Sequence, residues 1–115
     1  MGEGQFRDSN RRSHSRTAIR QPATVTHGET TVAVQTLDVG AGGMCLLARR
    51  PVAPGTRCSA TFELPLPDGP VEVTVPLRIV YSSYLAPEQF KIGALFSEPD
   101  AGAAEAIERF TAASS

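Results

Sequence analysis

A period of two dominates the second half of the chain. In residues 57–64, Cys58, Ala60, Phe62 and Leu64 alternate with Arg57, Ser59, Thr61 and Glu63. Residues 71–81 alternate Val71, Val73, Val75, Leu77, Ile79 and Tyr81 with mixed neighbours, and residues 89–96 place Phe90, Ile92, Ala94 and Phe96 on one side. Side chains of a strand point alternately to its two faces, so this pattern predicts half-buried strands with one face inward. Pro76 interrupts the longest of them and predicts an edge or a bulge there, because proline cannot donate to a ladder. Asp68-Gly69 marks a tight turn between the first two. Further upstream, "ATVTH" and "TTVAVQTLDV" flank Gly28-Glu29 as a hairpin of β-branched residues, and "GMCLLA" makes a short strand before the loop "RRPVAPGT". The chain closes with "DAGAAEAIERFTAA", where Asp100 can cap a helix whose Ala103, Ile107 and Phe110 share a face. The fold class expected is all-β: six antiparallel strands closed into a barrel, which removes exposed edges, plus a C-terminal helix and a flexible N-terminal arm.

At 115 residues this is one domain with one modest core. Residues 1–10 are expected to be a disordered tail and residues 11–113 the domain. Within it, 11–20 form an arm, 22–97 the barrel and 100–113 the helix. No apolar run approaches the roughly 20 residues of a membrane span. "MGEGQF" has no signal-peptide core, and Phe6 stands where a myristoylation pattern needs Ser or Thr, so a cytoplasmic location is expected. Cys45 and Cys58, the only cysteines, read as buried, reduced packing residues, too few for a zinc site with the distant His14 and His27.

Charge is nearly balanced overall but not along the chain. Residues 1–20 carry five arginines against Glu3 and Asp8, a net of +3, so with −1 overall the remainder carries −4. Lysine occurs once, at Lys91. Arginine's planar fork suits bidentate contact with phosphate or guanine, which a point-charge ammonium does not reproduce. Nothing supports catalysis: no G-x-S-x-G elbow, no histidine near Cys45 in sequence and no acid/base pair, so no enzyme is expected. "GAGG" lacks the Lys-Ser/Thr of a phosphate loop and leads into a strand.

Two segments remain, "NRRSHSR" and "LDVGAGGMCL". Guanine offers O6 and N7 to an arginine fork and its N–H groups to a carboxylate such as Asp38. Glycines at a strand junction let a flat ligand approach backbone and supply N–H groups to it. The residues by themselves leave two readings open, a guanine nucleotide site or a solvated basic tail beside a turn. A nucleic-acid-binding barrel is disfavoured, since aromatics are few and residues beyond 20 are acidic.

The spacing Arg12-x-x-x-Arg16 followed by Asp38-x-Gly40-x-x-Gly43 resembles the PilZ domain family, which carries RxxxR and (D/N)xSxxG segments and binds cyclic di-GMP. The resemblance extends from Arg11 to about Phe110, taking in the "PGT" loop, "IGALF" and the "AIERF" helix. It implies a six-stranded PilZ-like barrel with no cofactor, and cyclic di-GMP as ligand, clamped by the arm. Arg12 and Arg16 would contact guanine and phosphate, Asp38 a guanine edge or an arginine, and Gly40, Gly42 and Gly43 would line the approach. Arg11 implies an intercalated ligand dimer. Arg20, Arg49 and Arg50 are outer candidates. A downstream protein effector is the implied partner, with neither nucleic acid nor membrane insertion. One position departs from the pattern: Gly40 stands where the family has serine. Losing that hydroxyl removes about 0.5–1.5 kcal/mol, up to about tenfold in affinity. The alternative is an interaction module of the same fold that has lost nucleotide binding.

Overall fold

The computed structural model of the chain describes residues 16–113; the expectations for residues 1–15, including the tail, Arg11, Arg12 and His14, lie outside them. Among the described residues seven strands and one helix follow in order: β1 Thr17–Ala18, β2 Pro22–His27, β3 Thr30–Val39, β4 Gly43–Ala48, β5 Arg57–Leu66, β6 Gly69–Ala86, β7 Gln89–Phe96 and α1 Ala101–Ala113. All pairings are antiparallel. The order is β1-β3-β2-β5-β6-β7-β4, and β4 also pairs with β3, so the ladders of the six longer strands return to their start.

The expected count of six is corrected to seven. The extra strand is a two-residue pairing of Thr17 with Val39 and Ala18 with Asp38, too short to show as a sequence period. It belongs to the segment read as arm. Two hydrogen bonds continue that attachment, Ile19 N–H to the Leu37 carbonyl (3.1 Å) and Thr36 N–H to the Gln21 carbonyl (2.9 Å).

The other strands follow the apolar pattern closely. Ala60, Phe62 and Leu64 of β5 and Val73, Val75, Leu77 and Ile79 of β6 are buried side by side on the inner face, where Ala60 pairs with Val75 and Phe62 with Val73. Pro76 sits opposite Ser59 without a register shift, and its carbonyl accepts from Ser97 N–H (2.9 Å) just past the end of the β7 ladder. The bulges of β6 lie instead at Ile79/Tyr81 and Tyr84/Ala86. At the β5–β6 turn the strand resumes one residue earlier than expected: Leu66 pairs with Gly69, and Pro67-Asp68 form the tip. Gly69, at φ 126°, takes the left-handed conformation that a side chain would resist.

Helix α1 buries Ala103, Ala106, Ile107 and Phe110 against β5 and β6, the face its spacing implied. Its first turn is capped by Asp100, whose Oδ1 accepts from Ala103 N–H at 2.8 Å. An Asp100→Ala variant is expected to lose about 1 kcal/mol, the usual worth of such a cap. Chemical denaturation checks this, and an unchanged midpoint would mean the docked face alone holds the helix. No described helix is long and apolar enough to cross a membrane.

Candidate functional site

Asp38, Cys45, Gly93 and Tyr81 are successive cross-strand partners on β3, β4, β7 and β6, and β1 adds Ala18 beside Asp38. Cross-strand partners share a face, and this row lies on the outer one. Period two alone would put both ends of the row inside. Thr36, two residues before Asp38, is fully buried and paired with Leu46, whereas Asp38 pairs with the next residue back, Cys45. The bulge at Leu37 therefore turns Asp38 outward. Likewise Ile79 pairs with Ala94 but Tyr81 with Gly93, so the bulge at Val80 turns Tyr81 outward. One inserted residue reverses the facing of all that follows. Two bulges, one on each flank of the β4–β7 pair, thus keep a carboxylate and a phenol out of the core and on one surface. The expectation that Tyr81 points inward with Ile79 is corrected for this reason.

Arg16, just before β1, reaches into this row. Its Nε and Nη2 donate to Asp38 Oδ1 at 2.8 and 2.7 Å, and Nη2 also lies 3.6 Å from Cys45 Sγ. Cys45 Sγ is in turn 3.6 Å from the Tyr81 hydroxyl. Burial works to lower the Arg16 pKa, but the hydrogen bond and charge of Asp38, aided by Cys45, raise it above its ordinary value. Tyr81 is raised as well, first by its hydrogen bond with Cys45 and then by burial. At neutral pH the row thus presents a guanidinium and a protonated phenol. Both cysteines are buried and free, as expected, but Cys45 is covered by Arg16 and Tyr81 on the outer face rather than by the core.

These residues border a cleft of about 380 Å³, within the range of small-molecule sites. Lys91, the chain's only lysine, lines it two residues from Gly93 on the same strand face. Reading the sequence missed Lys91, Tyr81 and Gly93. A glycine inside "IGALF" was the available signal, since glycine within a strand marks a close approach. Tyr81 supplies that approach: its ring occupies the place a Gly93 side chain would take.

The three loop glycines separate. Gly40 N–H donates to the Gly43 carbonyl at 2.9 Å, which closes the β3–β4 loop on its own backbone, and the Gly42 carbonyl accepts from Phe96 N–H at 3.0 Å, which ties the loop to the end of β7. A side chain on Gly42 would meet open space, whereas a Cβ on Gly43 would run into the Ala94 carbonyl and come within 3.2 Å of Leu95 Cα. Gly43 thus has a packing reason of its own. Gly43→Ala is expected to cost about 1–3 kcal/mol, the usual penalty of overpacking, and Gly42→Ala almost nothing. Thermal melts of the two compare them directly; equal melting temperatures would mean that β4 and β7 separate at no cost.

Among the outer candidates, Arg49 pairs with Glu88 at 3.0 Å, and it and Arg50 stand at a different opening, away from the row. Arg20 is exposed. Among the described residues no cluster of three His, Cys, Asp or Glu could hold a metal ion.

The fold has close counterparts. MotI/DgrA, an inhibitor of motility from Bacillus subtilis, superposes with a TM-score of 0.77 at 17% identity, over 91% of this chain and 51% of that one. The PilZ domain of YcgR from Escherichia coli, determined with c-di-GMP, gives 0.67 at 14% identity, over 91% and 92% of the two chains. PlzA of Borreliella burgdorferi, in complex with c-di-GMP, gives 0.63 at 16% identity, over 89% and 41%. The chain spans about half the length of MotI/DgrA and less than half of PlzA. No curated protein sequence matches it. The PilZ domain model matches residues 10–113. With nearly the whole sequence matched and the same sheet-and-helix arrangement, the chain belongs to the PilZ domain family.

Proposed function

We propose that the chain is a non-catalytic receptor for cyclic di-GMP. The observation that carries the reading is the Arg16–Asp38 ion pair, which joins the two motif segments at the edge of a cleft bearing a second cation. On this reading the ring of six long strands is the barrel on which the arm folds. Arg12 and Arg16 hold guanine and phosphate, Asp38 orients Arg16 or meets a guanine edge, and Arg11 favours an intercalated dimer of ligand. Binding draws the arm over the outer face and changes the surface offered to a cytoplasmic protein effector.

A second reading, an interaction module that no longer takes the nucleotide, is favoured by Gly40. Its loop closes on the Gly43 carbonyl without the hydroxyl the family pattern supplies.

Calorimetric titration of cyclic di-GMP into wild type and the Arg12→Ala/Arg16→Ala double variant, with GTP as control, separates the two. Saturable wild-type binding, absent in the double variant and with GTP, is the expected result, and a ratio near two would identify the dimer. No heat and unchanged amide shifts well above micromolar ligand would leave the interaction module standing.

A further inference from the structure

The ring of strands closes along only part of β3. Its first half pairs with β2 from Thr30 onward, but β4 joins it only from Gln35, and β4 ends at Ala48. Among the described residues no strand lies on the other side of residues 30–34. Strand alternation decides which backbone groups face that gap. Thr36 N–H points to the β2 side, where it bonds the Gln21 carbonyl, so Thr30, Val32 and Val34 direct their N–H and C=O groups to β2 as well. Pro22, which has no N–H, stands opposite Gln35, as this alternation requires. The N–H and C=O groups of Thr31 and Ala33 therefore face outward, and among the described residues no backbone group bonds to them.

Such an edge is a ready template for another strand, and proteins ordinarily blunt it with a proline, a charge or a bulge. Residues 30–35, "TTVAVQ", contain no proline and no charge, and the β3 bulge comes only at Leu37. Val32 is half exposed although it shares the inward side of β3 with buried Thr36. The edge thus offers both hydrogen bonds and an apolar side chain to a further strand.

A second β3 meets these demands. An added antiparallel strand runs in line with β4 and begins where β4 leaves. Under a two-fold axis at Val32, Thr31 of each copy faces Ala33 of the other and exchanges N–H···O=C bonds with it in both directions. Val32 then meets its own counterpart in the closer, non-hydrogen-bonded pair. The same register brings the β2–β3 hairpin of the copy, with Glu29 at its tip, to the point where β4 ends and Arg50 follows. Glu29 and Arg50 are exposed, and neither has an ion-pair partner among the described residues, whereas Arg49 is already held by Glu88. Two-fold symmetry makes the Glu29–Arg50 contact twice, which favours a second copy over an unrelated peptide.

We propose that the chain forms a two-fold dimer by antiparallel pairing of β3 through residues 30–34. The interface is narrow, so the dimer belongs to the weak, concentration-dependent class. It uses no residue of the Arg16–Asp38 row and does not rest on nucleotide binding.

Sedimentation equilibrium of the full chain from micromolar to millimolar concentration, with amide hydrogen exchange at both extremes, tests the pairing. The expected result is a monomer–dimer equilibrium in which the Thr31 and Ala33 amides exchange freely when dilute and are protected when concentrated. Ala33→Pro removes an outward N–H and no β2–β3 bond, and should weaken the dimer about tenfold or more. Glu29→Arg and Arg50→Glu should each weaken it about threefold, and the two together should restore it, a result that loss of folding cannot produce. An equilibrium that Ala33→Pro leaves unchanged, or charge reversals that do not compensate, would overturn this pairing. So would a chain that stays monomeric throughout: Thr31 and Ala33 open would leave the edge to a partner protein, and protected, to residues 1–15.

Discussion

Arg16→Ala is expected to weaken cyclic di-GMP binding by about 30- to 1,000-fold while leaving the fold in place. A guanidinium that makes two charge-assisted bonds to a ligand contributes about 2–4 kcal/mol to binding, which is that range in affinity. Its contribution to folding is smaller. The Arg16 side chain is 43% exposed and its partner Asp38 is 24% exposed, and pairs so open to water are worth at most about 1 kcal/mol. Stability and affinity should therefore separate in this variant. Asp38→Ala supplies the second arm of the test. If Asp38 acts by holding Arg16, the double variant will bind no worse than Arg16→Ala, and the two effects will fail to add. If Asp38 meets guanine itself, the losses will sum. Calorimetry on the three variants reads the difference, and an Arg16→Ala protein with wild-type affinity would remove Arg16 from the site.

Thr36→Val is expected to cost about 2–4 kcal/mol, although valine is nearly the same shape. Thr36 is the one buried polar side chain among the described core residues. Its hydroxyl donates to the Ile19 carbonyl at 2.7 Å and accepts from Gln21 N–H at 2.8 Å. Valine would leave a donor and an acceptor without those partners, each at about 1–3 kcal/mol. Thr36→Ser keeps both bonds and should lose only about 1 kcal/mol for the missing methyl. Because Ile19 and Gln21 follow directly on β1, the valine variant should also loosen Arg16 and bind ligand less well. Urea unfolding of both variants provides the comparison. A valine variant within about 0.5 kcal/mol of wild type would show that water or a shifted backbone satisfies Ile19 and Gln21 instead.

How far the site could be read in advance depended on the residue. Arg16 and Asp38 were named from motif spacing, and the structure brings them together across 22 positions. Gly43 was named as a place of close approach. The approach it permits is that of Ala94's backbone, which no local pattern announces. Arg49 and Arg50 carried the right charge but stand at another opening, because the β4 strand ends between them and the row. Tyr81 and Lys91 were read only as strand residues.

Strand positions, turns and the helix were legible because each rests on neighbours two to four residues away: alternation, Gly28 and Gly69, the Asp100 cap. The expectation that ladders close on themselves also followed from the need to cover edges. Tertiary structure alone decided which face each strand shows beyond a bulge. A register shift is made by the partner strand, and no period within a single strand encodes it. Asp38 and Tyr81 are outward because Cys45 and Gly93 stand opposite them, and the cleft exists only where those four strands meet.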